Sequence, residues 1–446
     1  MPQNKRKSPI LIIDVVKVDN QFSKIRLIRP GFYNSEIVEI PYGDTNIAEY
    51  IQRYHEALKN FKRKVDRESL KQNIGILNEA FREMFKHNRY LYSKFFKDVD
   101  KGPNGITNYL RKHIPRSSSM SNSDIGIIEI RADSIKHIFP LESLVMVDTP
   151  EEIKGKEDVA KVASGILGFS FIINRVRKGS RQSQKREFNN IPKLPLKYFY
   201  DKSLKGTKVE LDFFKDEIYK KYFVLDGPWP EEDVKSIEKE LVRYLCQPEI
   251  GFYCVDQPDM IQRQIDEIHH FSCHSYTNEE NSWKSGLRLT NNFHITIETM
   301  QEHLPLLLHE KFLESQNDPL VKNISRKIWR FWSKKLNQAD REMPLIFFNA
   351  CGSAELSPKG ITSFPEYFLY DNQNCGFIGS EIEVPDAFAA EFSKQFYLHL
   401  LRGYGVGEAI FGARRNLLNW YNNPLGILYT FYADPYLRVK KAVTDI

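Results

Sequence analysis

The sequence predicts an α/β protein with a largely parallel central sheet, preceded by an α+β half. Three observations carry this. After about residue 222, short apolar runs alternate with helical patterns. "KYFVLDGPWP", "IHHFSCH", "PLIFFNA" and "CGFIGSEI" read as strands, while "EEDVKSIEKELVRYLCQ", "ISRKIWRFWSKKL" and "PDAFAAEFSKQFYLHLLRG" read as helices. Strands joined through helices run parallel, because the crossover returns the chain to the same end of the sheet. The chain opens differently, on three Ile- and Val-rich runs bounded by turn residues. Finally, 446 residues with 41% hydrophobic and 27% charged content suit a folded chain of two domain-sized units.

In order, "PILIIDVVKV", "FSKIRLIRP" and "SEIVEIPY" predict an antiparallel meander. Helical stretches follow at about 45–65 and 68–97. In the second, Ile74, Leu77, Phe81 and Phe85 form one apolar stripe at three- and four-residue spacing. "PRSSSMSNSD" is a loop by composition, "IGIIEIRA" a strand and "IFPLESLVM" a short buried turn or helix. The stretch "NRVRKGSRQSQKREFNN", residues 174–190, has six basic residues and no apolar period, and reads as an exposed loop. "IGFYCVD" and "NFHITIETM" read as strands, and "MIQRQIDE" and "SFPEYFLYD" as helices. The rhythm divides the chain into an N-terminal half, 1–222, and a C-terminal domain, 223–446.

Several function classes are disfavoured at once. The longest apolar run, "ILGFSFII", is far short of the roughly 18–20 residues of a membrane helix. The basic N-terminus contains Asp14 within its apolar run and leads into no cleavage site, so it reads as a strand and not a leader. Five cysteines without a CxxC pair fit free thiols in a reducing, cytoplasmic setting. The net charge of +6 is uneven, with 23 Lys and Arg against 13 Asp and Glu in residues 1–120. Acids interleave with these bases, as in "NFKRKVDRESLK", which favours a solvated helix face over a nucleic-acid surface.

The chemistry concentrates where strands end. Cys351 follows the apolar run "PLIFF" and precedes Gly352 and Ser353, so the turn can display its sulfur and its own amide. His274 ends an earlier strand, 77 residues upstream. In a parallel sheet, reacting groups gather at the carboxyl ends of strands. A thiol with an imidazole at that edge has the parts of a nucleophilic dyad. The cluster His269, His270, Cys273 and His274 could instead hold zinc. In an extended strand, however, His270 and His274 face one way while His269 and Cys273 face the other. That splits the ligands, so no metal site is expected, and His269 and His270 read as packed or hydrogen-bonded strand residues.

The segments "IHHFSCHSY", "FFNACGSA", "CGFIGSEIEVPDAFAAEFSKQFYLHLLRGYGVGEAIFGARR" and "PLGILYTFYADP" together resemble the CHAT family of caspase-like peptidases, related to separases and caspases. The likeness is specific from residue 268 to 434. It is looser in "NIGILNEAFREMF" and "IEIRADSIKHIFPLESLVM", where Leu141 stands in place of the usual Trp. The resemblance implies a caspase-like three-layer fold with a mostly parallel central sheet. It implies a cysteine endopeptidase with Cys351 as nucleophile and His274 as general base and acid. The oxyanion donors would be the amides of Cys351 and Ser275, where the family generally has Gly. Asp386 matches an acid that lines the substrate pocket in relatives cutting after basic residues, and it also suits the start of a helix. Glu408, Arg414 and Arg415 read as structural. No cofactor is implied. The implied partner is a protein substrate, gasdermin-like or CRISPR-linked in some relatives, cut in a regulated way in prokaryotic antiviral defence or cell death, with an activating partner or ligand compatible. Two rival readings are an inactive interaction module of the same fold and a nucleic-acid-responsive regulator.

Overall fold

The computed structural model describes residues 7–17, 23–30, 36–38, 44–96, 100, 105–114, 125–133, 138, 140–146, 152–178, 185–230, 267–276, 284–300, 343–349, 363–372 and 374–444. The helices expected at 231–247 and 324–336, the strand "IGFYCVD" and most of "MIQRQIDE" lie outside them, as does Cys351.

The N-terminal half contains β1 (Leu11–Lys17), β2 (Ser23–Ile28), β3 (Glu36–Val38), α1 (Asp44–Arg63), α2 (Ile74–Phe96) and α3 (Ile106–Lys112). It continues through β4 (Ile127–Ala132), α4 (Lys156–Ala163), α5 (Leu167–Ser170) and β5 (Ile172–Arg177). The meander is present, with β1–β2 and β2–β3 antiparallel. It extends further than the sequence rhythm implies, since β4 pairs parallel with β1 and β5 parallel with β4. The sheet is therefore mixed, in the order β3-β2-β1-β4-β5. Period-two burial fixes its inner face, with Leu11, Ile13 and Val15 inside. Leu77, Phe81 and Phe85 of the predicted α2 stripe join the same core.

Next come β6 (Glu187–Phe188), β7 (Leu194–Tyr200), α6 (Lys205–Lys215), β8 (Phe223–Trp229) and β9 (Ile268–Ser272). A small antiparallel sheet follows, β10 (His274–Tyr276), β11 (Gly286–Leu289) and β12 (Phe293–Thr296). The chain closes with β13 (Leu345–Phe348), β14 (Gly376–Ser380), α7 (Asp386–Leu401), α8 (Val406–Tyr421), β15 (Tyr429–Ala433) and β16 (Arg438–Val439), which pairs with β6. The central sheet has six strands in the order β15-β14-β13-β9-β7-β8. All its pairs are parallel except β14–β15 at one edge. β7 belongs to this sheet, so the division at 222 runs between two strands that pair directly.

The loop expected over 174–190 is corrected at both ends. Residues 174–177 continue β5, with Asn174 and Arg175 buried, and residues 187–188 form β6, with Phe188 and Asn190 buried. The Arg175 guanidinium forks onto Glu142 at 2.6 and 2.5 Å, both side chains fully enclosed. Polar residues carry no apolar period, and Glu142 is 33 residues away in sequence, so composition alone cannot show this strand. Residues 179–184 lie outside the described residues.

The same cluster joins the two halves. Arg414 of α8 lies 3.7 Å from Glu142 and donates to the carbonyls of Gly168 and Tyr429. Glu408 accepts from the Gly405 amide at 3.1 Å, capping α8. Both residues are structural, as the sequence indicates. Removing one partner of a buried ion pair strands the other. Arg175→Met leaves Glu142 with Arg414 alone and should cost about 3 kcal/mol in urea unfolding, and Glu142→Met, which strands both guanidiniums, should cost more. A single-variant cost under about 1 kcal/mol would show that the pair does not anchor the interface.

Candidate active site at the sheet edge

β9 and β13 lie side by side at the middle of the sheet, with Phe347 opposite His270 and Phe348 opposite Phe271. Both strands are buried along their length, their rings packing across the pair: Phe271 meets Phe348 edge-on at 4.3 Å and His270 stacks on Phe347 at 4.9 Å. The pairing continues past β13, because the Asn349 amide donates to the Phe271 carbonyl at 2.7 Å. Three residues beyond Phe271 is His274, and two beyond Asn349 is Cys351.

Beyond β9 the chain turns at Cys273, which is fully buried, and enters β10 with His274 half-buried. His274 pairs with Arg288, and Ser275 with Leu287. Arg288 reaches Asp201 at 3.3 Å, and the Asp201 amide donates to the Ser272 carbonyl at 2.9 Å. The hairpin bearing His274 is thereby tied to the carboxyl end of β7. Ser275 is not among the described residues with left-handed φ, which apart from glycines are Asn291, Asn292 and Asn422. Its strand conformation is one that serine adopts without strain.

Behind this edge lies a polar cluster that sequence reasoning did not find. Glu210 of α6 is fully buried. Its Oε2 accepts from the Tyr198 hydroxyl at 2.8 Å and faces His270 Nε2 at 3.2 Å. Its Oε1 accepts from Ser393 Oγ of α7 at 2.7 Å and from Asn349 Nδ2. Asn349 also donates to the Ala389 carbonyl at 2.9 Å and accepts from the Tyr429 hydroxyl. His270 Nδ1 meets the Tyr397 hydroxyl at 2.9 Å. Burial pushes the Glu210 carboxyl up, but His270 and the surrounding donors outweigh it and hold it below the usual range. Nothing in "GTKVELDFF" marks Glu210. The only clue was an acid on the apolar side of a helix, whose buried residues include Phe213 and Phe214.

His269 faces away from this cluster, edge-on to Phe199. Burial first, and then the Lys197 cation, hold its ring far below the usual imidazole range, so it stays neutral. Among the described residues no cluster of three His, Cys, Asp or Glu could hold a metal. The Cys375 thiol is pushed up to about 12 by burial, which makes it a poor nucleophile. Cys246 and Cys254 lie outside the described residues.

Asp386 opens α7 and is half-buried, its carbonyl packed so closely on α6 that a Cβ at Gly206 would lie 2.6 Å away. Three residues earlier, Glu383 has a side chain 59% exposed and holds Lys62 at 2.6 Å. The Lys62 hydrogen bond holds its carboxyl below the usual range. Glu381 sits deeper, against His55 of α1 at 3.2 Å.

No family model matches the chain. A probable protease from a Vitiosangium species is 31% identical over 91 residues, which is 20% of this chain and 12% of the relative. Two crystal structures of the Saccharomyces cerevisiae separase–securin complex align with TM-scores of 0.42 and 0.41 at 10% identity. The chain is similar to separase over 96% of its own length. It spans only 30% of the separase chain.

The buried neutral His269 has a consequence for stability. Its folded ring takes a proton only far below pH 6.5, whereas the unfolded ring takes one near 6.5. His399, held down to about 4 by burial and Arg402, has the same sign. Stability is therefore full above about pH 6.5 and falls as the pH drops, by up to about 1.4 kcal/mol per unit for each ring. Urea titrations at pH 7 and pH 5 should show a smaller drop for His269→Phe than for the wild type. An unchanged drop would mean that this ring is not held neutral.

Proposed function

We propose that this chain is a cysteine endopeptidase that cuts a partner protein through Cys351 and His274. The observation that carries the reading is the parallel pairing of β9 with β13 through the Asn349–Phe271 hydrogen bond. It directs the segments leading to both residues toward one edge of the sheet. The motif resemblance and the match to a probable protease support the same reaction class. His274 takes the Cys351 proton, and the thiolate adds to the scissile carbonyl. The tetrahedral oxyanion is held by the amides of Cys351 and Ser275. Collapse breaks the C–N bond as His274 protonates the leaving amine, giving a thioester. Water, deprotonated by His274, then releases the acid and restores the thiol. The chemistry needs no cofactor. The defence setting implied by the resemblance makes a single regulated cut in a partner the natural use.

Cys351→Ala and His274→Ala should each abolish cleavage, and His274→Ala should leave the unfolding free energy within about 1 kcal/mol of wild type, since His274 is only half-buried. Cys273→Ser and Cys375→Ser should keep turnover within a few fold. Wild-type cleavage by the His274 variant would remove the dyad.

Asp386 is the candidate for the substrate pocket, from the resemblance. An acid facing the crevice favours Arg or Lys before the cut, because an unmatched partly buried carboxylate stays uncompensated. With fluorogenic peptides differing only in that residue, Asp386→Ala should lower cleavage after Arg about tenfold or more relative to cleavage after Leu. A loss of roughly 0.3–1 kcal/mol of stability with selectivity unchanged would assign Asp386 to the helix start alone, and a wild-type preference for Leu removes the acidic pocket.

A further inference from the structure

We propose that Glu210 is a positioning residue for the dyad, holding the strand that leads to His274 and the strand that leads to Cys351 in one fixed register. The inference rests on the peptidase reading above and assigns Glu210 no contact with substrate.

A carboxylate removed from water costs several kcal/mol unless charge and hydrogen bonds compensate it. Here the surroundings are otherwise aromatic: Tyr198, Phe214, Phe347 and Tyr397 all crowd His270 within 6 Å. An apolar side chain at position 210 would satisfy packing alone. The carboxylate instead gathers partners from four elements, Tyr198 on β7, His270 on β9, Asn349 after β13 and Ser393 on α7.

Two of those partners lie on the segments that lead into the dyad. His270 is four residues before His274 on the same run of chain, and Asn349 is two residues before Cys351. Asn349 has little freedom left. Its amide nitrogen serves Glu210 and the Ala389 carbonyl, its oxygen serves Tyr429, and its backbone N–H serves Phe271. The charge on Glu210 selects this orientation, because only an acceptor there matches the Asn349 NH2. A glutamine at 210 keeps the shape but removes the charge, and with its oxygen toward the Asn349 NH2 its own NH2 makes the Tyr198 hydroxyl and His270 Nε2 accept, which resets the hydrogen bonds on the strand leading to His274. Displacements well under 1 Å at a reacting atom are enough to lower a rate strongly, since about 1 Å can cost on the order of a hundredfold.

The test uses the full chain and iodoacetamide, with the modified cysteine identified by peptide mapping. In the wild type, the pH profile of Cys351 alkylation reports the thiol as His274 activates it. Glu210→Gln should slow Cys351 alkylation at pH 7 about tenfold or more and shift its profile toward that of an ordinary thiol. It should lower kcat on the fluorogenic peptides with KM little changed. Should Glu210→Gln fail to fold, Tyr198→Phe removes one donor from the same oxygen and should shift the profile in the same direction, by less. A folded Glu210→Gln protein, or in its absence Tyr198→Phe, with the wild-type profile overturns the positioning role. Cys351→Ala protein that still cleaves overturns instead the peptidase reading.

Discussion

The architecture depends on a carboxylate placed where water cannot reach it. Glu210 reaches from α6 toward the sheet, and its two oxygens are shared among side chains from three strand segments and a second helix. Such a group is stable only when every partner is in place, so the cluster transmits position as well as energy. α6 and α7 are brought together by the same constraint. Gly206 lets the backbone of Asp386 approach α6, and Ser393 then meets Glu210 two turns further along α7. The carboxyl edge of the sheet, where His274 emerges, is thereby backed by a polar cluster with defined partners.

A second set of buried charges sets what stands in front of that edge. The segment after β14 is held from the N-terminal half by Glu381 against His55 and by Glu383 against Lys62, both bases on α1. Glu142, Arg175 and Arg414 fasten β5 to α8 a short distance away. The N-terminal half is therefore fastened directly to the segment between β14 and α7. That arrangement explains why a division at residue 222 describes the rhythm of the sequence but not the sheet, in which β7 and β8 lie side by side.

The parts legible from sequence were those written in apolar pattern. The opening meander, α2, β4, β9, β13, β14 and α7 all follow from runs of Ile, Val, Leu and Phe at period two or near four, and the parallel central sheet follows from their alternation. What escaped was written in pairs of polar residues far apart in the chain. Arg175 looks like part of a basic loop until Glu142 is beside it, and Glu210 looks like any helix acid until His270, Asn349 and Ser393 converge on it. His274, expected to end a strand, instead opens β10 after the bend at Cys273, because the strand before it stops at Ser272. The concern over Ser275 in place of glycine came from a family pattern, and its strand conformation here does not require glycine.

The central claim is that His274 and Cys351 meet as a working dyad at one edge of the sheet. A crystal structure of the protein treated with a peptidyl aldehyde tests it most directly, because an activated thiol adds to the carbonyl carbon and leaves an oxygen where the tetrahedral oxyanion would lie. The account predicts a hemithioacetal on Cys351 Sγ, with His274 within hydrogen-bond reach of the adduct and its oxygen facing the amides of Cys351 and Ser275. An adduct on another cysteine, or an aldehyde bound to Cys351 with His274 turned away from it, would contradict the account.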